Sequence, residues 1–240
     1  MTGETVAGKA VLVTGANRGL GQALVAEALA RGAERVYAGA REPQAHSDDR
    51  VTTLPLDVTS PAQIQAAAER VGSLDLLINN AGIMQRDDLT DPAVLERHLA
   101  VNLFGTYAVT RAFLPAVTRS RGAVVNILSA NALAPLPLMM PAYSVSKAAA
   151  LSLTQSFRAL VAGQGVTVHA VLPGPVDTDM TRGSGVPTAS AESVARAILD
   201  ALEDGEEEIF PDPVSAPMAA PWRDSIGKLL ERRLAHVTDS

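Results

Sequence analysis

Short aliphatic runs alternate with helix-length segments along almost the whole chain, and this alternation constrains the fold more than any other feature. The runs AVLVT (10–14), RVYAG (35–39), VTTLP (51–55), LDLLI (74–78), AVVNIL (123–128), VTVHAVL (166–172) and EEIF (207–210) read as strands. Between them lie helix-like stretches at about 20–31, 61–71, 92–118, 142–162 and 190–204, and a last helix is expected over 217–236. Near-continuous aliphatic strands separated by helices predict a parallel sheet covered on both faces. Ser60-Pro61 and Asp91-Pro92 each place a capping side chain before a first-turn proline, and Gly163 reads as a helix stop. With no repeat, linker or low-complexity block, residues 1–240 read as one doubly wound α/β domain.

Composition narrows the chemistry. Aromatic residues make up only 3%, so the core is aliphatic and alanine-rich. The formal charge of −6 argues against a nucleic-acid binder, which needs a basic surface. Cysteine is absent, which removes disulfides, thiolate nucleophiles and cysteine-ligated zinc. The histidines (His46, His98, His169 and His236) show no paired spacing, so no metal site is expected. No apolar run is long enough for a membrane span and no signal peptide is legible, so the expected location is cytoplasmic. The acidic GEEEIF reads as a solvated turn into an edge strand.

The first strand runs into a glycine turn, VLVTGANRGLG, with Gly15, Gly19 and Gly21 ahead of a helix. A strand–turn–helix of this kind lets backbone N–H groups approach a pyrophosphate at the positive helix end. The spacing differs from the common dinucleotide fingerprint, and a structural turn is the competing reading. Sites for NAD usually carry an acidic residue at the tip of the second strand. Here the tip reads Ala40-Arg41, and Arg18 sits in the glycine turn. Two guanidiniums suit a 2′-phosphate, which favours NADPH or NADP⁺ over NADH. Taken singly, either arginine reads equally well as a solvated surface residue, and Glu42 lies just beyond the tip.

In PAYSVSKAAA, Tyr143 and Lys147 share a helix face. A tyrosine near its ordinary pKa of about 10 is a poor acid or base at neutral pH, and a nearby cation favours the phenolate. Such pairs are common by chance. Asn102 and Gly105 are poor mid-helix residues inside the 92–118 stretch, and that departure suggests a functional reason. Ser129 ends a strand, while NNAG (79–82) and PGPVDT (173–178) follow two others, so these loops share one rim of the sheet.

Together TGANRGLG, LDV, NNAG, VNLFG, Ser129, YSVSK and PGPVDT resemble, in order, the compact single-domain branch of the short-chain dehydrogenase/reductase family. The resemblance covers nearly the whole chain and implies a Rossmann-type three-layer sandwich with a seven-stranded parallel sheet. Its cofactor half would span about 1–120 and its catalytic half about 121–240. It implies hydride transfer between a nicotinamide and a carbonyl or alcohol carbon. Tyr143 would act as general acid, Lys147 would lower its pKa and hold the nicotinamide ribose, Ser129 would orient the substrate oxygen, and Asn102 would fix a relay water. Gly15, Asn17, Arg18, Gly19, Leu20 and Gly21 would cradle the dinucleotide, with Arg41 on the 2′-phosphate. Asp57 and Val58 would border the adenine, and Asn80, Ala81 and Gly82 its ribose. Pro173, Gly174, Val176 and Thr178 would hold the nicotinamide carboxamide. The family's serine often aligns with Ala130, one residue later; the strand register favours Ser129.

The loop before Tyr143 supplies Ala130, Leu133, Leu136, Leu138, Met139 and Met140 for a substrate pocket, joined by Met180. Adaptable methionines suit an apolar or bulky ketone or aldehyde, although half of these side chains read equally as core. Segment 180–189 is expected to form a lid. The resemblance further implies a homodimer or homotetramer through the helices at 92–118 and 142–162. An NAD-dependent alcohol dehydrogenase and a non-catalytic dinucleotide-binding regulator are the alternatives.

Overall fold

The computed structural model describes residues 5–135, 140–183 and 185–235. Seven parallel strands form one sheet in the order β3-β2-β1-β4-β5-β6-β7. They span β1 (Ala10–Thr14), β2 (Arg35–Ala40), β3 (Val51–Pro55), β4 (Leu76–Asn79), β5 (Ala123–Ile127), β6 (Thr167–Val171) and β7 (Glu208–Ile209). The helices are α1 (Gly19–Ala30), α2 (Pro61–Arg70), α3 (Pro92–His98), α4 (Thr106–Ser120), α5 (Pro141–Val161), α6 (Ala191–Glu203), α7 (Ala219–Arg223) and α8 (Ile226–Ala235).

Alternate strand residues feed two cores. Val11, Val13, Ile78 and Val125 pack with the aliphatic faces of α1 and α6, including Leu24 and Ile198. Leu12, Leu77 and Val124 point the other way, onto Phe113 of α4 and Phe157 of α5. Both faces are therefore covered, which is why the strands read as continuous aliphatic runs. Ser60 and Asp91 cap α2 and α3 as their sequence predicts, accepting from the Gln63 and Ala93 amides.

Three boundaries depart from expectation. The 92–118 stretch is three segments, α3, a π-helical turn over Leu99–Gly105, and α4. The glycine that stops the fifth helix is Gly165, left-handed at φ +72°, after a short 3₁₀ turn that contains Gly163. The last helix is broken into a 3₁₀ turn, α7 and α8.

Strand order reverses between β1 and β4, parallel neighbours at the centre of the sheet from which later strands are added toward opposite edges. Ligands of open parallel sheets bind at such a switch point, outside the carboxyl ends of the strands. The turns after β1, β4, β5 and β6 all open on that rim.

Candidate active site

The turn after β1 needs its glycines. Gly15 and Gly19 have φ of +66° and +54°. A Cβ on Gly21 would stand 2.1 Å from the Gly15 carbonyl oxygen, so the first turn of α1 lies directly on the loop. Asn80 braces this loop from the β4 end: its Nδ2 donates to the Thr14 and Gly15 carbonyls at 3.0 and 3.2 Å. The Thr14 hydroxyl accepts from the Asn80 and Ala81 amides, both at 3.0 Å. Asn17 Nδ2 donates to the Glu42 carbonyl at 2.7 Å and ties the turn to the loop after β2.

The arginines face carboxylates of the chain itself. Arg18 bonds Asp179 at 2.8 Å, and Arg182 bonds the other oxygen of Asp179. Arg41 lies near Asp57, whose carboxyl is held below its ordinary range chiefly by hydrogen bonds from Thr59, with the Arg41 charge adding to the effect. Val58 is buried against Gly105, where an added Cβ would come within 2.7 Å of it.

Asn102 lies in the π turn, 1% exposed. Its Oδ1 accepts from the Ile83 amide and its Nδ2 donates to the Ile83 carbonyl and to the Ser146 hydroxyl, each at 2.9 Å. The Asn102 side-chain amide is thus committed to the backbone after NNAG and to α5. π turns recur at functional sites because the extra residue rotates side chains out of α register.

Tyr143 and Lys147 lie on the first two turns of α5, both buried. Lys147 Nζ donates to the Ile127 carbonyl at 2.9 Å and stands 5.7 Å from the Tyr143 ring centre. Burial alone lowers the Lys147 pKa to about 8. Burial also raises the Tyr143 phenol, while a hydrogen bond with Ser129 pulls the other way. The expected lowering by Lys147 is therefore not what dominates in the chain by itself; desolvation is. A Cβ at Gly82 would lie 3.3 Å from Asn102 Oδ1 and 3.6 Å from Lys147 Nζ, so the bare glycine keeps open the gap beside the ammonium.

Ser129 stands close enough to Tyr143 for its hydroxyl to act on the phenol. Its hydroxyl also accepts from the Asn131 amide at 3.1 Å, starting the 3₁₀ turn Ala130–Ala132. Ala130 is buried and donates its amide to the Pro173 carbonyl. On the β6 side, Gly174 donates to Asp212 Oδ2 at 2.8 Å. Val176 is buried, and the Thr178 methyl stands against Gly19, 3.0 Å from where its Cβ would be. Met140 is half-buried and Met180 is 41% exposed. Leu136, Leu138 and Met139 lie outside the described residues.

The short chain dehydrogenase family model matches residues 9–186. The chain belongs to that family. Among its relatives, estradiol 17-beta-dehydrogenase 2 of Mus musculus is 36% identical over 190 residues, 72% of this chain and 49% of that protein. The dehydrogenase/reductase SDR family protein 7-like of Anopheles gambiae is 32% identical over 249 residues, covering 90% and 78%. The chain spans about half the length of the mouse relative. Among solved structures, a short chain dehydrogenase from Burkholderia cenocepacia in complex with NADP superposes with a TM-score of 0.86 at 38% identity, covering 95% of this chain and 99% of that one. NADPH-bound carbonyl reductase from chicken fatty liver gives 0.77 at 29% identity, covering 85% and 89%.

Several residues that shape the candidate site were not legible in the sequence. Thr14, Asp87, His98, Asp179 and Asp212 each brace a site loop across a long sequence separation. Asp212 is buried and fully bonded, to the Gly174, Val214 and Ser215 amides and the Ser215 hydroxyl. Only the Asp-Pro-Val-Ser turn around it offers a local signal.

Proposed function

We propose that this dehydrogenase is an NADPH-dependent oxidoreductase that interconverts a ketone or aldehyde with its alcohol, using Tyr143 as general acid. The observation that carries the reading is the meeting of Ser129, Tyr143 and Lys147 at the carboxyl end of β5, beside the glycine turn of β1. The donor set suits a dinucleotide. Among the described residues, Lys147 is a buried cation with one carbonyl partner and no carboxylate acting on it, so its remaining N–H donors suit ribose hydroxyls. The glycine turn presents a helix N-terminus for the pyrophosphate. Arg18 and Arg41, with Ala40 rather than a carboxylate at the tip of β2, support the phosphorylated cofactor, as do the NADP- and NADPH-bound relatives.

Bound NADPH supplies the hydride. The chain's own part is proton handling and orientation. Ser129 hydrogen-bonds the carbonyl oxygen, holding it beside the phenol. Tyr143 donates its proton to that oxygen as negative charge develops on it. The Lys147 ammonium stabilises the resulting phenolate in a site where low dielectric strengthens the attraction. Burial keeps the free phenol protonated, the form that carbonyl reduction requires.

The test is NADPH oxidation against ketones, aldehydes, quinones and 3-ketoacyl thioesters, with dinucleotide affinities measured alongside. Tyr143→Phe is expected to lower kcat by about 100-fold or more while NADPH binding is retained. Retained turnover overturns the role of Tyr143, and tighter binding of NADH than NADPH overturns the cofactor reading.

A further inference from the structure

The catalytic helix α5 begins without a cap of its own: Met140, its N-cap residue, makes no side-chain cap bond, and Pro141 follows it. The free amide two residues along is instead taken by a distant carboxylate. Asp87 Oδ1 and Oδ2 lie 3.2 and 3.3 Å from the Ala142 amide, next to Tyr143. Asp87 comes from the segment after NNAG, and that segment is fastened at three points. Ile83 is held on both its amide and its carbonyl by Asn102. The Gln85 amide donates to His98 Nε2 at 3.0 Å, while His98 Nδ1 bonds the Val94 carbonyl at 2.8 Å. The His98 ring meets the Tyr143 ring edge-on, with centres 6.3 Å apart. Asp87 then closes on α5, and Leu89 turns away in the left-handed region at φ +64° with its amide on Asp87 Oδ1. A leucine held there is strained, and such strain persists where the surroundings over-determine it.

We propose that residues 83–89 form a strap that positions Tyr143, with His98 as its backing and Asp87 as the clasp that fixes the first turn of α5 through a hydrogen bond. Asp87 and His98 are positioning residues: they act through the helix and the ring of Tyr143, not on the substrate. The inference deepens the proposed function and rests on Tyr143 being the proton donor. First-turn N–H groups have no intrahelical partner, so losing the clasp loosens the turn that carries the phenol. A misplacement of about 1 Å at a reacting group is enough to lower a rate by up to about 100-fold.

The test compares Asp87→Ala with Asp87→Asn, which keeps an acceptor oxygen, in the full chain. Asp87→Ala is expected to lower kcat about tenfold with NADPH affinity unchanged, and Asp87→Asn to recover most of the loss. Amide exchange at Ala142, Tyr143 and Ser144 is expected to accelerate about fivefold in Asp87→Ala and to stay unchanged in the sheet. Wild-type kcat in Asp87→Ala, no recovery in Asp87→Asn, or unchanged exchange in the first turn of α5 overturns the clasp. The exchange readout needs no turnover. If Tyr143→Phe stays active while exchange responds as expected, the proposed chemistry fails and the clasp stands; the reverse pattern sinks the clasp alone.

Discussion

Lys147 shows what a buried charge does to the chain that carries it. It is 5% exposed and burial lowers its pKa from 10.5 to about 8. An unfolded lysine keeps the higher value, so between about pH 8 and pH 10.5 the unfolded chain binds more protons than the folded one. Stability from this residue therefore rises with pH through that window. Below about pH 8 both states hold the proton and the folded chain bears the whole penalty, roughly 3 kcal/mol for a shift of this size. Lys147→Met removes the penalty but leaves the Ile127 carbonyl unpaired, which returns about 1–2 kcal/mol. The variant is expected to be inactive yet about 1–2 kcal/mol more stable at pH 7, with the gain shrinking toward pH 10.5. Thermal melts of both proteins across pH 7 to about 10.5 check this; a gain independent of pH refutes it. The spacing of Tyr143 and Lys147 was legible because i and i+4 are local. Asp87 on Ala142 and Arg18 on Asp179 were not, because each joins residues far apart in sequence, which no periodicity encodes.

Within single elements, sequence marks a disturbance better than it gives its geometry. Asn102 and Gly105 stand out as poor helix formers, yet the apolar pattern of 92–118 continues through them, so it predicts one helix where the chain makes a π turn. The turn is explained by what it reaches: Asn102 turns in to grip Ile83, and Gly105 lets the chain lie on Val58. A Cβ at Gly105 would stand 2.7 Å from Val58 Cγ2 and 3.2 Å from the Val58 carbonyl. Gly105→Ala is expected to destabilise by about 1–3 kcal/mol through overpacking, despite the better helix propensity of alanine. Adding Val58→Ala should recover part of that loss, because the Cγ2 clash goes while the close approaches of the Val58 Cβ, at 3.0 Å, and of the carbonyl stay. Urea denaturation of the two single variants and the double variant measures the coupling. Strict additivity sinks the account. The strands were easier to read, since their aliphatic runs follow from burial on both faces; β7 was the exception, and only Glu208–Ile209 of the expected EEIF pairs in the sheet.

At the scale of the whole molecule, α5 is held at both ends by charge from elsewhere in the chain. At its far end Arg158 bonds Glu208 of β7 and Glu231 of α8. Lys228 of α8, 2% exposed, bonds Glu207, Glu208 and Glu231 at 2.7, 2.9 and 3.1 Å. Burial disfavours its ammonium, but the hydrogen bonds it donates to Glu207 and Glu208 outweigh burial and raise its pKa. GEEEIF is thus not a wholly solvated acidic turn: Glu208 is buried, and its two cations arrive from helices on either side of it in sequence. Composition counts those charges without saying which of them meet. Removing Lys228 leaves three carboxylates to one arginine, with Glu208 still shut away from water. Breaking a buried pair from one side strands the other charge, so Lys228→Met is expected to lower stability by about 3 kcal/mol or more. Neutralising Glu208 as well, in Lys228→Met with Glu208→Gln, should return part of it, since three carboxylates then no longer share Arg158. Urea denaturation followed by circular dichroism decides the matter: a loss below about 1 kcal/mol for Lys228→Met, or no recovery in the double variant, means the cluster behaves like a surface network and does not fix α8 to the far end of α5.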